Sequence, residues 1–522
     1  MEKAIEELLK LNIKSGDELT AAKRKVAKKF KIGILLNSDI LKKYQELKTA
    51  KKIKDNPTLE RILRKRAMRT MSGIAPVAVL IKPYPCPGKC VYCPSEKGVP
   101  QSYLSNEPAV MRAILCHYDP YKQVQLRLRA LEANGHEPNK IELIVIGATW
   151  SVLPEKYKYW FIKNCFAAAN NFSQKSKVKS RKYNSKIKIK KLKKELVKEQ
   201  SKNEKAKYRL IGITLETRPD YINEKELWQM RELGCTRVEL GVQAIDNKIL
   251  ALNKRGHGIA EIAKATKLLK DFGFKVTYHI MPGLPGSTPA KDFLMFKKLF
   301  SDERFQPDQI KFYPTVVTRG SLLYKWWREG KYKPYSDKQL QNLIIKCKKI
   351  IPPYVRIIRL IRDIPKESII AGNIITNLRQ IMKDKGVKCN CVRCREVGNR
   401  QFKTSDLKLF IKKYKASGGQ EYFISYESKD KKTLYGFCRL RLDDRAIIRE
   451  LHVYGELVPV GKNKKVQHAG LGKKLMFEAE KIARGCGFKK IIVISGIGVR
   501  EYYKKLGYKL ENTYMVKTLR EE

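Results

Sequence analysis

Pro85–Pro94 reads PCPGKCVYCP, and its cysteines, Cys86, Cys90 and Cys93, follow the spacing C-x-x-x-C-x-x-C. Three thiolates in one short loop hold three irons of a 4Fe–4S cluster and leave the fourth open to an outside ligand. S-adenosylmethionine chelates such an iron through its amino and carboxylate groups, so the loop predicts radical chemistry. Structural zinc wants four protein ligands, and no neighbour of this loop supplies the fourth. The loop directly follows the strand-like run AVLIKPYP at Ala78–Pro85 and precedes a series of strand–helix repeats.

Those repeats extend from Ile74 to about Arg362. IELIVIGAT, RLIGITLET, TRVELGVQ, KVTYHIMPG, QIKFYPTVV and VRIIRLIRDI are strand candidates, with helical patterns between them, as at Glu224–Leu233 and Ile259–Asp271. Such alternation predicts parallel strands with crossover helices, in an open sheet or a partial or full (β/α) barrel. Sites in these folds lie at the carboxyl ends of the strands. Gly147, Ala148 and Thr149 follow the second strand, where small residues let backbone approach a methionyl moiety or simply make a tight turn.

Toward the other end the chain reads VQHAGLGKKLMFEAEKIA, in which Gln467, Gly470 and Gly472 match Q-x-x-G-x-G ahead of an amphipathic helix. Free N–H groups, the positive end of the helix dipole and glycines together suit the phosphates of coenzyme A. The preceding strand, ELHVYG at Glu450–Gly455, offers backbone groups to a pantetheine arm. VREYYKKLGY then brings Tyr502 and Tyr503 toward a thioester, unless one of them is only core. Strand, glycine turn, helix, strand and Tyr-rich helix in this order predict a C-terminal α+β unit of the GNAT acetyltransferase kind.

Between the two lies KCNCVRCRE, with Cys389, Cys391 and Cys394 spaced C-x-C-x-x-C. Zinc in a structural site is the favoured occupant, its fourth ligand unassigned, and a second iron–sulfur cluster is the alternative. The other six of the twelve cysteines stand alone. Clustered thiols with no disulfide framework indicate a reducing, cytoplasmic compartment. No stretch reads as a secretory leader or a bilayer span.

The 522 residues carry 110 Lys and Arg against 52 Asp and Glu, a formal charge of +58. A field of that size points to a polyphosphate partner, on top of any general lysine enrichment of the surface. The expected organisation is a basic helical region over 1–72, a radical domain over 73–385, a cysteine loop over 386–400 and an acetyl-CoA-binding domain over 401–522. Ser15 with Glu18 and Asn56 with Pro57 mark helix starts in the first of these. Within the radical domain, 172–207 is rich in Lys, Ser, Gln and Asn and has little to bury, which predicts an insertion that is mobile or only partly helical.

Taken together, CPGKCVYCP, EPAVMRAILCHYDP, LETRPD, RVELGVQAIDNKIL, HIMPGLPGST, KFYPTVV, IRDIP, CVRCREVG, ELHVYGELVPVG, QHAGLGKKLM and VREYYKKLGY resemble the catalytic subunit of Elongator. This is the tRNA uridine carboxymethyltransferase family, radical SAM plus GNAT, in its stand-alone archaeal form. GATW departs from the family's two glycines followed by Thr-Phe, and the lysine-rich insertion is unlike most members.

The resemblance implies that Cys86, Cys90 and Cys93 ligate the cluster. It also implies that Lys140, Glu450, Leu451, His452, Val453, Leu471, Gly472, Lys473 and Tyr503 contact acetyl-CoA. The reaction it implies begins with removal of a hydrogen from the acetyl-CoA methyl group by a deoxyadenosyl radical. The carbon radical then adds to carbon 5 of the wobble uridine of a tRNA, and oxidation and thioester hydrolysis leave a carboxymethyl group. Partners would be tRNA, S-adenosylmethionine, acetyl-CoA and an electron donor, with no membrane; the protein would be a monomer or a homodimer. Protein lysine acetylation, a cofactor-free tRNA scaffold and methylthiolation are the rival readings. Intact cysteine motifs oppose the first two, and an acetyl-CoA motif left idle opposes the third.

Overall fold

The structure, a computed structural model, describes residues 1–64, 73–147, 149–173, 183–398, 406–454 and 470–519. Seven parallel strands form the central sheet: β1 (Ile74–Leu80), β2 (Lys140–Ile146), β3 (Arg209–Thr217), β4 (Arg237–Gln243), β5 (Lys275–Ile280), β6 (Gln309–Phe312) and β7 (Arg356–Arg359). They pair in chain order, with no reversal. Each crossover of a parallel pair is right-handed, so a sheet without a switch point keeps every helix on one face and curls its other face inward. The result is a partial (β/α) barrel, in which β1 and β7 do not pair and the loops that follow them meet through Arg362, which pairs with Glu107 (3.0 Å).

The first strand begins at Ile74, four residues before the run that marked it in the sequence, and it ends at Leu80. Pro83 and Pro85 remove backbone donors, so IKPYP cannot extend the ladder and becomes the start of the cysteine loop. Pro76 is tolerated because β1 is an edge strand.

Alternate residues of each strand face outward into a core closed by helices, with Val77, Val79, Leu143, Val145, Leu215 and Val276 fully or almost fully buried. The predicted insertion forms the helix Ile189–Asn203. Leu192, Leu196, Gln200 and Asn203, spaced three or four apart, bury one stripe of it, and it packs on the helix Glu155–Asn170. Residues 174–182 of the insertion lie outside the described residues.

The C-terminal sheet runs β8 (Leu407–Ala416), β9 (Gly419–Ser428), β10 (Leu434–Leu442), β11 (Ala446–Val453), β12 (Lys490–Val493), β13 (Lys509–Glu511) and β14 (Tyr514–Thr518). It is antiparallel except where β11 and β12 run side by side over Ala446–Ile448. Beyond Ile448 a register shift against β10 turns β11 aside, so Glu450–Val453 leave β12 and the two strands splay. The helix Leu471–Gly485 covers the sheet.

This sheet docks on the amino-terminal ends of the barrel strands. Arg449 donates to the Phe274 carbonyl (2.8 Å) and to Asp308 (3.0 Å), just before β5 and β6. Gly496 lies so close to the Ile211 carbonyl that any side chain there would collide with it. Glu204, at the end of the insertion helix, meets Arg500 (3.2 Å) and Lys504 (2.8 Å). The interface is therefore built from barrel, insertion and C-terminal sheet together.

Four helices precede the barrel, Glu2–Leu9, Gly16–Lys29, Asn37–Thr49 and Pro57–Leu63, around a small core of Leu8, Val26, Ile40, Tyr44 and Leu63. Ser15 accepts from Glu18 N (3.1 Å) and Asn56 accepts from Leu59 N (3.0 Å), so both expected starts are capped. Glu18 reaches back to Lys14 N (2.8 Å) rather than closing a box on Ser15. No helix among the described residues is long and apolar enough to cross a membrane.

Candidate active site

The cysteine loop is held by backbone bonds independent of its thiols. Val91 N donates to Asn253 O (3.2 Å), Val91 O accepts from Leu323 N (2.8 Å) and Ser95 N donates to Gly320 O (3.2 Å). Gly320 has φ +77, and a side chain there would press on the Ser95 carbonyl, so this contact selects glycine. The loop thus sits over the carboxyl ends of the strands, as expected of the fold.

Cys90 accepts from Arg255 Nη1 (3.0 Å). A hydrogen bond from Cys93 holds the Cys90 thiol down to about 5, with the Arg255 charge helping against burial. The same bond, with burial, pushes Cys93 up. Cys86 stands apart, beside Thr149 Oγ1 (3.9 Å). Arg218 is fixed by Asp220 (2.8 Å) and by the Arg255 carbonyl, and its Nη1 is buried without a partner. At Gly88 a side chain would strike that guanidinium. Three thiols, two buried guanidinium groups and an unpaired donor form a cationic cradle for an anionic thiolate-ligated group, and they fit a 4Fe–4S cluster.

Gly147 carries φ +126 and lies against Ile81, which accounts for its glycine by packing alone. Thr149 is buried next to Cys86. Ala148 lies outside the described residues.

From this loop a cavity of about 1350 Å³ runs down the inside of the barrel to the C-terminal domain. Inward-facing residues sit at every second strand position: Glu142, Ile144 and Ile146 on β2, Arg237, Glu239 and Gly241 on β4. Their charges are paired. His279 Nε2 lies 2.9 Å from Glu239, which also meets Lys311, while His279 Nδ1 lies 3.5 Å from Glu216. Glu216 accepts from Tyr103 (2.9 Å), and Arg237 pairs with Glu142. Burial alone would raise Glu239, but Lys311 and His279 hold its carboxyl well below the usual range.

None of these lumen residues, nor Arg218 and Arg255, stood out in the sequence as a site. The available signal was charge at alternate positions of runs such as RVELGVQ and KVTYHIMPG. A parallel strand covered on both faces reads as a nearly continuous apolar run, so alternating charge marks a strand with one face on a wet lumen.

At the far end Glu450, Leu451, His452, Tyr502 and Tyr503 line the same cavity. Burial, then Arg356, pushes the His452 imidazole down to about 3, so it is neutral, and its Nε2 is buried without a partner. Lys140 opens β2 half-buried; it does not line the cavity, but its charge also disfavours protonation of His452. Burial raises the Glu450 carboxyl, and Arg439 at 2.8 Å with Lys275 outweighs it. The Tyr502 hydroxyl, pushed up to about 12 by burial, is unpaired and points at Gly472. Val453 packs beside Gly472, Leu471 is buried, and Lys473 is exposed. Gly470, at φ +70, precedes the helix, and among the described residues no side chain caps its first N–H groups. Gln467 lies outside the described residues.

Cys389, Cys391 and Cys394 do come together, with sulfur atoms all within 4.8 Å. No fourth His, Cys, Asp or Glu joins them among the described residues; Lys348 Nζ is 3.8 Å from Cys394. Val392 N donates to Val355 O (2.9 Å) beside β7, and Arg395 binds Glu427 (2.5 Å) of β9. The trio therefore clips the barrel to the C-terminal sheet.

Comparison with known proteins agrees with this anatomy. Residues 83–297 match the Radical SAM superfamily, 307–386 the Radical_SAM C-terminal domain and 392–508 the Acetyltransferase (GNAT) family. A tRNA uridine(34) acetyltransferase of Dehalococcoides mccartyi is 44% identical over 477 residues, 87% of this chain and 100% of that one. Elongator complex protein 3 of Homo sapiens is 40% identical over 491 residues, 88% of this chain and 86% of that one. The solved archaeal Methanocaldococcus infernus Elp3 with N-terminus deletion superposes with a TM-score of 0.72 at 40% identity, covering 86% of this chain and 100% of that one.

Proposed function

Because the chain belongs to the family of tRNA uridine(34) acetyltransferases and Elongator complex protein 3, we propose that it adds a carboxymethyl group to carbon 5 of the wobble uridine of tRNA. The observation that carries this reading is the single cavity shared by the cysteine loop and by His452, Tyr502 and Tyr503. A simple acetyltransferase has no use for a cavity that ends on three thiols.

When bound, a 4Fe–4S cluster with S-adenosylmethionine supplies a carbon-centred radical, and acetyl-CoA supplies the two-carbon unit. Cys86, Cys90 and Cys93 would hold the cluster, with Arg255 and Arg218 compensating its negative charge. The first N–H groups of the helix beginning at Leu471 would take the coenzyme A phosphates. Neutral His452 and the Tyr502 hydroxyl, both buried and unpaired, offer hydrogen bonds to a thioester. The partial barrel and the docked C-terminal sheet would hold the reactants in one cavity, and alignment is the chain's main contribution. The basic N-terminal helices would hold tRNA by phosphate contacts, with the target base unstacked.

The test is anaerobically reconstituted protein with S-adenosylmethionine, reductant, methyl-labelled acetyl-CoA and unmodified tRNA, followed by nucleoside mass spectrometry. Labelled carboxymethyluridine is the expected product. Unmodified uridine with label on protein lysines, independent of S-adenosylmethionine, overturns the reading.

The Cys389–Cys391–Cys394 trio is assigned a structural zinc. Three soft thiols suit it, and metal binding couples to the stability of whatever the site clips together. Cys391→Ser is expected to strip zinc from the purified protein by elemental analysis and to lower its melting temperature by several degrees. Iron in place of zinc in the parent protein, beyond that of the first cluster, would assign a second cluster instead.

A further inference from the structure

We propose that the lysine-rich insertion helix, Ile189–Asn203, is a second docking surface for tRNA, gripping the phosphates of an RNA stem outside the catalytic cavity. The inference rests on the functional reading above and adds a contact surface to it.

A lysine-rich helix is ordinarily a solvated face on which acids and bases intermingle. Here the two signs are sorted. Glu195 turns to Lys163 (2.9 Å), and Glu199 accepts from Asn170 (2.8 Å). Glu204, just past the helix, pairs with Arg500 (3.2 Å) and Lys504 (2.8 Å). Each acid is thus committed to the body of the protein, while Lys190, Lys194, Lys198 and Lys202 are exposed. The last three each stand two positions after Leu192, Leu196 and Gln200, the packed stripe, so they point about 200° away from it, into solvent. Among the described residues Lys190, Lys194 and Lys198 pair with no carboxylate, and Lys202 reaches only Glu199, at 3.4 Å.

Like charges four apart destabilise a helix. This ladder is therefore held by packing on the helix Glu155–Asn170 and not by its own propensity. A fixed row of cations, stepping by roughly 6 Å over roughly 18 Å, suits the repeated charges of a phosphate backbone and not a single small anion.

Its position suits the same partner. Tyr208, just beyond the helix, donates to Glu132 (2.5 Å), and the nearby Gly135 lies against Leu41 of the N-terminal helices. Lys504, which meets Glu204, and its neighbour Lys505 are exposed on the C-terminal domain. The ladder thus ends between two other basic surfaces. An RNA stem, recognised by its phosphates and shape, fits a surface with no pocket for a base.

Replacing the ladder by Lys190→Gln, Lys194→Gln, Lys198→Gln and Lys202→Gln together tests the proposal. The variant loses its own charge repulsion, so its melting temperature should not fall below the parent's. For unmodified tRNA, the slope of log Kd against log salt is expected to shrink by about 3, and affinity at physiological salt to weaken at least about tenfold. Lys408, Lys412, Lys413 and Lys415, exposed on the edge strand β8, provide a control of equal charge. Their joint replacement by Gln is expected to cost less than about threefold, since it lowers only the general field.

Val197, 60% exposed beside Lys198, reads placement without altering charge. The thiol introduced by Val197→Cys, alkylated in holoenzyme with an azidophenacyl reagent, is expected to photocross-link to tRNA. The parent, labelled at exposed Cys486, sets the background. Equal losses in the ladder and β8 variants, an unchanged salt slope, or cross-linking at the parent level would each overturn the docking surface. Ladder-dependent binding in a protein that makes no carboxymethyluridine would keep the surface and remove only the functional reading.

Discussion

Cys90→Ala is expected to abolish carboxymethyluridine formation while leaving acetyl-CoA affinity within about twofold of the parent. Three thiols are the minimum that holds three irons and leaves the fourth open, so losing one removes the site and not merely a contact. Cys90 is also the thiol tied directly to Arg255 (3.0 Å) and the one held as a thiolate near neutral pH. Enzymes of this kind face barriers lowered by many kcal/mol, and product formation should fall by several orders of magnitude, to background.

The loop's own fold does not depend on that sulfur, because Val91 and Ser95 anchor it through backbone hydrogen bonds. Three readouts separate the effects: iron content with the visible absorption of the cluster, calorimetric affinity for acetyl-CoA, and nucleoside mass spectrometry. Loss of iron and product with coenzyme affinity retained is the expected set. Product persisting at more than a small fraction of the parent level would mean that the cysteine loop is a scaffold and that the chemistry lies in the C-terminal domain alone.

The two families were legible because their motifs rest on local spacing. C-x-x-x-C-x-x-C and Q-x-x-G-x-G each place their groups within a single turn of chain, and no tertiary information is needed to read them. The strand count was legible for a similar reason, since runs such as IELIVIGAT keep one apolar face. Barrel against open sheet was not. That depends on whether strand order reverses, and only the pairing of β1 through β7 in sequence decides it.

The lumen was illegible for a different reason. Glu142, Arg237, Glu239, Lys275 and Lys311 look like interruptions of apolar strands until the sheet curls and makes them neighbours. Arg255 and Cys90, which share a hydrogen bond, stand far apart in the chain, and nothing local to NKRGHGIAEIAK announces a thiolate partner. The insertion was read from composition, which undervalued Leu192 and Leu196: two leucines four apart are enough to seat a lysine-rich helix when a neighbouring helix already offers an apolar face.

The interface charges were the least legible part of all and carry the second large prediction, which is that Asp308→Ala destabilises the docked molecule by about 3–5 kcal/mol. Asp308 is fully buried, accepts from Val276 N (2.8 Å), and faces Arg449 (3.0 Å from Nη1), Arg439 (3.8 Å) and Lys270 (3.9 Å). Glu421, also fully buried, shares Arg449 (2.8 Å) and Lys270 (3.6 Å), while Arg441 reaches Asp271 (2.6 Å). Removing one carboxylate leaves Arg449, Arg439 and Lys270 in a dry interface with only Glu421 and Glu450 as counter-charges, so their desolvation is offset only in part.

The pH dependence has a definite sign. Burial alone would raise the Asp308 carboxyl, but Arg449 and Lys270 hold it far below the usual range. A carboxylate depressed in the folded state contributes its stability above the unfolded value, near about 4, and loses it as pH falls below that value. The parent should therefore weaken steeply below about pH 4, and Asp308→Ala should lack that share of the slope.

A double variant distinguishes a charge lock from simple packing. Arg449→Met removes the nearest of the three cations around Asp308, and paired buried charges replaced by apolar groups are often near neutral in stability. Urea unfolding of the four proteins of the cycle should show Asp308→Ala/Arg449→Met recovering a large part of the single-variant loss. If the losses simply add, the network is not a coupled lock, and the close approach at Gly496 and the cysteine clip must hold the two domains in place.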